Sequence, residues 1–210
     1  MYKFADTTEL LIHATGTVEQ AVNSLRRDVK NCLRNKIEPA PFPAILFCFS
    51  TVNLLGALVA GRADKNAPNK EISICYMTRF MHYSHENAEI LIDLFRHKLV
   101  HLAQPRPVIR YGPEVMMTWA THHNNRSLHL KRETLPQGSV LDGYDILPGW
   151  DIRVTHRFNI SIMDFTLDIK DSAMGSNGYL KKLKHCPDLQ AMYKKAINQI
   201  YGDSTLSVTS

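Results

Sequence analysis

The chain has 210 residues, 44% hydrophobic and 21% charged side chains, the proportions of an ordinary globular protein long enough to bury a real core. Its net charge of +5 tilts the choice of partner toward anions such as nucleic acid without requiring one. Cys32, Cys48, Cys75 and Cys186 lie far apart with no C-x-x-C pair, which argues against a cysteine zinc site and for a reducing compartment.

The N-terminal string MYKFADTTELL lacks the charged start and long apolar run of a secretion signal, so a cytoplasmic location is expected. Residues 1–16 read as a short helix or an irregular arm. Thr17, with Gln20 three residues on, reads as the N-cap of a helix whose stripe is Val18, Ala21, Val22, Leu25, Val29 and Leu33. Its other side carries Arg26, Arg27, Lys30 and Arg34, a solvated face in the first instance and a phosphate-facing one in the second. Pro39, Pro41 and Pro43 break the chain. The segment 43–61 is apolar nearly all round and ends at Gly61, a C-cap residue type. It is close to the shortest length that spans a bilayer but carries Ser50, Thr51 and Asn53, so a buried central helix is expected and no membrane.

A third helix is expected over 71–83, and Ser84 is placed to cap a fourth. That fourth helix carries LIDLFRHKLVHLAQP, residues 91–105, with apolar side chains at Leu91, Leu94, Phe95, Leu99 and Leu102. Pro105 cannot continue it, so His101 falls in its last turn. Beyond Pro107 the texture changes. Val115–Thr121 and Ser127–Thr134 read as a β-hairpin about a turn at His122–Asn125, and Val154–Ile162 as a third strand. Helix resumes over 163–173 and 188–201, and 203–210 read as a frayed tail.

The catalytic-type side chains concentrate in the fourth helix. Arg96 and His101 form R-x4-H, with the polar His97 directly after the arginine. On an ideal helix the pair stand about 140° apart, so they converge only through side-chain reach, a loosened last turn, or a cleft facing a second copy of the chain. The competing reading is that Arg96 simply pairs with a carboxylate such as Asp93 or Glu89, while His101 satisfies carbonyls. His97 and His101 also make H-x-x-x-H, a spacing that can ligate zinc or iron. His82, His85, His122, His123 and His129 are further ligand types, but no acidic residue completes an H-E-x-x-H pattern. No metal or other cofactor is therefore expected. Lys98, Arg106 and Arg110 can extend a phosphate-binding rim, and Tyr111 and Trp119 can stack on bases, although a strand tryptophan is more often core.

The arginine, polar residue and late histidine in an amphipathic helix resemble HEPN domains. FRHKLVHLAQP, preceded by an apolar helix ending LLGALVAG, looks like a group of bacterial HEPN-like proteins, a resemblance covering about residues 40–105. It implies a mainly α, α+β protein: a helical bundle core over about 17–104 and 163–201, with a β-hairpin and third strand inserted over about 114–162, outside the minimal family core. It also implies a homodimer in which two such motifs face one cleft, and in many members metal-independent RNA cleavage. By resemblance Arg96 would hold the scissile phosphate, His101 would exchange a proton with the 2′-hydroxyl or the leaving oxygen, and His97 would orient. RNA carries its own nucleophile, so a proton shuttle and a fixed cation suffice. The alternatives are a noncatalytic module that binds RNA, nucleotides, an antitoxin or another protein, and a histidine metal site.

Overall fold

Apolar residues at every third or fourth position build α1 (Thr7–Leu33), whose Leu10, Ala14, Val18, Val22, Leu25, Val29 and Leu33 are all buried. The structure, a computed structural model, describes residues 3–35, 39–64, 66–96, 105–141 and 152–202. α1 begins ten residues before the expected Thr17 cap. Asp6 is the N-cap, accepting from the Glu9 backbone N–H at 2.8 Å. Thr17 lies inside the helix, and its hydroxyl accepts from the Tyr193 hydroxyl at 3.3 Å. A hydroxyl engaged sideways leaves no capping oxygen, so the Thr17–Gln20 spacing is coincidental.

α2 (Pro41–Ala60) is the central helix, closed by Gly61 at φ 64. By length and composition it is apolar enough to cross a membrane, yet 56% of its apolar window is buried, and α1 and α3 (Asn69–Phe80) pack on it. Ser84 caps α4 (His85–Leu91) by accepting from the Asn87 N–H at 3.1 Å, as its sequence position predicts. The chain then widens into a π-helical turn over Ile92–Arg96. Residues 97–104, which hold the expected end of this helix, lie outside the described residues.

The inserted region is a four-stranded sheet, not a hairpin with a third strand. β1 (Ile109–Arg110), β2 (Met116–His122), β3 (Arg132–Thr134) and β4 (His156–Ser161) stand in the order β1-β2-β4-β3. β2 runs parallel to β4, with Trp119 opposite Phe158, and β3 lies antiparallel on the other side of β4. β4 takes the inner place because Phe158 and Ile160 are both fully buried and need neighbours on each side. The Leu128–Leu130 alternation is a turn: Leu130 sits at φ 61, and its N–H donates to the Asn159 carbonyl on β4 at 2.9 Å. β4 runs directly into α5 (Ile162–Met174). The short α6 (Tyr179–Leu183), which the sequence pattern did not single out, and then α7 (Pro187–Gly202) complete the chain. The architecture is mixed α/β, and α5 and α7 also pack on α2.

Two glycines give opposite predictions. A Cβ on Gly56 would lie 2.7 Å from Ile72 Cγ2 and 2.8 Å from the Ile72 carbonyl oxygen, where α2 and α3 touch. Gly56→Ala is expected to cost about 1–3 kcal/mol in urea unfolding, because backbone must move. Gly16, within α1, has nothing within 4 Å of such a Cβ. Gly16→Ala is expected to stabilise by about 0.5–1 kcal/mol.

Candidate functional site

Arg96 ends the π turn. Ile92, Leu94 and Phe95 before it are buried, and Phe95 lies 5.7 Å from the Trp119 ring, centroid to centroid. The guanidinium is half-buried, and its Nη2 donates to Asn53 Oδ1 on α2 at 3.4 Å. The same oxygen accepts from Ser73 Oγ at 3.0 Å. Burial holds the Arg96 pKa below its ordinary value, against the opposing charge of Glu71. The two carboxylates that would neutralise it on its own helix are turned elsewhere. Asp93 pairs with Lys70 at 2.9 Å, and Glu89 lies 3.7 Å from His85. Among the described residues, no carboxylate stands within ion-pair distance of Arg96. His97, Lys98 and His101 lie outside the described residues.

The chain returns beside the π turn at Arg106, whose N–H donates to the Leu94 carbonyl at 2.7 Å. Its own carbonyl accepts from Trp119 Nε1 at 2.8 Å, leaving the Arg106 side chain exposed. Arg110 is exposed too, but its Nη2 closes its own turn on the Pro113 carbonyl at 3.2 Å. Trp119 is committed to packing: its ring meets Phe42 edge-on at 5.5 Å, besides Phe95. Tyr111 is packed against the core, and burial and then Glu86 push its phenol pKa up. Neither ring is a free stacking platform. The histidines are dispersed. His122 bonds Asn159 Oδ1 at 2.9 Å, His82 and His123 are exposed, and the described residues hold no group of three His, Cys, Asp or Glu side chains fit for a metal.

A second constellation went unseen in the sequence. Tyr83, Arg126, His129 and Asp168 meet at a cleft of about 720 Å³ between the α3–α4 turn, the sheet and α5. Asp168 Oδ2 accepts from the Tyr83 hydroxyl at 2.7 Å and lies 3.3 Å from His129 Nε2, while Arg126 donates to Oδ1 at 2.6 Å. His129 Nδ1 accepts from the Ser161 N–H at 3.2 Å, so the neutral ring carries its proton on Nε2, facing Asp168 and the Tyr83 oxygen. Every polar atom of Tyr83, His129 and Asp168 is thus engaged, and the cluster offers no idle base or nucleophile. What it does is fasten the sheet region to α5 and hold Arg126, 63% exposed, at the cleft mouth. His82 (φ 58) and Leu130 (φ 61) both line the cleft in the left-handed region, a cost the surrounding structure absorbs. One signal was legible: Asp164 and Asp168 share a face of a helix whose other face is Ile162, Phe165 and Ile169. Two carboxylates one turn apart on an amphipathic helix imply cationic or hydrogen-bonding partners.

Comparison of the chain with family models, curated proteins and solved structures gives no match.

The cluster predicts a pH dependence. Burial of Asp168 works to raise its pKa, but hydrogen bonds from His129, Tyr83 and Arg126 outweigh it and hold the carboxyl below the usual carboxylate range. A carboxyl depressed in the folded state stabilises fully above its unfolded pKa, and that stabilisation is lost as pH falls through the folded value. Asp168→Asn is expected to cost about 1–3 kcal/mol near neutrality, by urea unfolding, and to make the acid limb of stability shallower than in the wild type. An unchanged acid limb would show that the cluster carries no such linkage.

Proposed function

We propose that this chain is a HEPN-like RNA-binding protein that cuts single-stranded RNA without a metal, acting in the cytoplasm as a two-fold dimer. The observation that carries the reading is the state of Arg96: half-buried, braced by Asn53, with Asp93 paired to Lys70 and Glu89 turned toward His85. A half-buried guanidinium with no carboxylate in ion-pair contact, and only the more distant charge of Glu71 acting on it, is disposed to take an anion, and a planar fork suits a phosphate. The alternative, an arginine neutralised by a carboxylate of its own helix, would leave it nothing to offer.

In this reading Arg96 anchors the scissile phosphate and offsets the charge that builds on it. His101 takes the proton from the 2′-hydroxyl as that oxygen attacks phosphorus, and a proton returns to the 5′ oxygen as its bond to phosphorus breaks. His97 orients the pair, and Lys98, Arg106 and Arg110 contribute rim charge. The protein is expected to cut RNA in the presence of chelator and to leave matching DNA intact, since DNA lacks the nucleophile. His101→Ala should lose on the order of 10²–10⁴ in rate while remaining folded by circular dichroism. Arg96→Lys should fail as well, because an ammonium cannot grip a phosphate with two parallel bonds. Intact RNA after long incubation, or equal cutting by wild type and His101→Ala, would remove the catalytic reading.

The dimer follows from the same need, since R-x4-H gains a facing surface from a second copy and isologous pairs are the commonest assemblies. Light scattering at tens of micromolar should give twice the chain mass; a monomer there would count against a shared cleft.

A further inference from the structure

The C-terminal end of α3, the loop at Ser176 and Asn177, and α6 enclose a groove of about 410 Å³ in which Arg79, Lys181, Lys182 and His185 are gathered. Among the described residues no acidic side chain lines it, and Arg79, Lys181 and Lys182 have no carboxylate within ion-pair distance. Two of these cations share a single ring. The Lys182 ammonium stands 4.8 Å and the Arg79 guanidinium carbon 5.5 Å from the Phe80 centroid. The ring attracts each cation, which holds both at the groove while their charge stays unmatched by a carboxylate in ion-pair contact.

We infer that this groove is a binding track for the phosphate backbone of single-stranded RNA, separate from Arg96. The inference rests on the RNA reading above and extends it to a second surface. The cations are spread over two elements, α3 and α6, and do not converge on one point, which suits successive phosphates of a strand better than one small anion. Protein partners are anchored by exposed aromatic side chains, and this groove offers none: Phe80 is 4% exposed beneath the two cations. Ser176 and Asn177 supply neutral hydrogen-bonding groups of the kind that contact phosphate and sugar. α3 also links the groove to the proposed site. Its Ser73 shares Asn53 Oδ1 with Arg96, and Arg79 lies about 9 Å further along the helix axis. Contacts of this type fix a strand's position without reading its sequence.

The test is fluorescence anisotropy with a labelled single-stranded RNA across a salt series, in chelator, using the full chain. Arg79 and Lys181 are both exposed, so Arg79→Gln with Lys181→Gln removes two charges without touching the core. Lys194→Gln with Lys195→Gln removes two equally exposed charges on α7, outside the groove, and serves as the matched control. The groove variant should bind about tenfold more weakly at low salt, and the slope of log affinity against log salt should fall by about 0.7 for each lost phosphate contact. The control should change neither. Unchanged binding by the groove variant, an equal loss in the control, or competition by poly-glutamate as strong as that by unlabelled RNA would overturn the inference. Cleavage followed on the same samples separates the two proposals. Groove-dependent binding without cutting would remove the nuclease and leave the track; cutting with binding indifferent to Arg79 and Lys181 would do the reverse.

Discussion

α2 is apolar on nearly every side, and leaving most of such a helix in water would be costly. The greater part of Pro41–Ala60 is therefore covered, and α1, α3, α5 and α7 do the covering from both ends of the chain. This brings residues far apart in sequence to one core: Phe49 of α2 meets Phe165 of α5 edge-on at 5.5 Å. Gly56 shows how close the wrapping is, since α3 lies against its bare Cα. Hydrophobic burial on this scale is the largest favourable contribution available to such a chain. The positions of Asn53, Ser73 and Arg96 follow from it, because each is carried on α2 or on an element near it.

The sheet region is joined to this core by charge as well as by apolar contact. Arg126 and His129 reach Asp168 on α5, and Arg132 on β3 reaches Glu86 and Asn87 at the start of α4. Partly exposed ion pairs are screened by water and add little net stability, so these links specify one docking geometry more than they strengthen it. The same links hold the Tyr83 turn and the His82 backbone in place beside the cleft.

Arg96 shows how a local choice of partners becomes a functional question. On one helix, Asp93 stands three residues from it, a spacing at which helical side chains meet, and Glu89 lies two turns back. Asp93 instead meets Lys70 across from α3, and Glu89 meets His85 one turn back. The π turn changes the direction in which residues 92–96 project, and Arg96 comes to rest on Asn53. An arginine hydrogen-bonded to a neutral amide differs chemically from one in contact with a carboxylate, because its charge is met only at longer range, by Glu71.

Much of the helical framework was determined by sequence alone. The periods of α1, α5 and α7, the uniform apolarity of α2, the Ser84 cap and the Gly61 stop are local properties, set within a few residues by side-chain spacing and backbone preference. Arg96 was legible as a candidate for the same reason, while His97, Lys98 and His101 lie outside the described residues. Strand partners were decided only by the tertiary structure. The sequence pattern supports a hairpin between 115 and 134, yet β4, from beyond residue 155, outcompetes β3 for the edge of β2, because its Phe158 and Ile160 gain more by lying between two strands. The Tyr83–His129–Asp168 cluster and the Arg79–Lys182 pair over Phe80 were likewise invisible, since their members are separated by tens of residues. Spacing along a chain encodes helical faces and caps; which distant charge meets which is settled when burial forces those faces together.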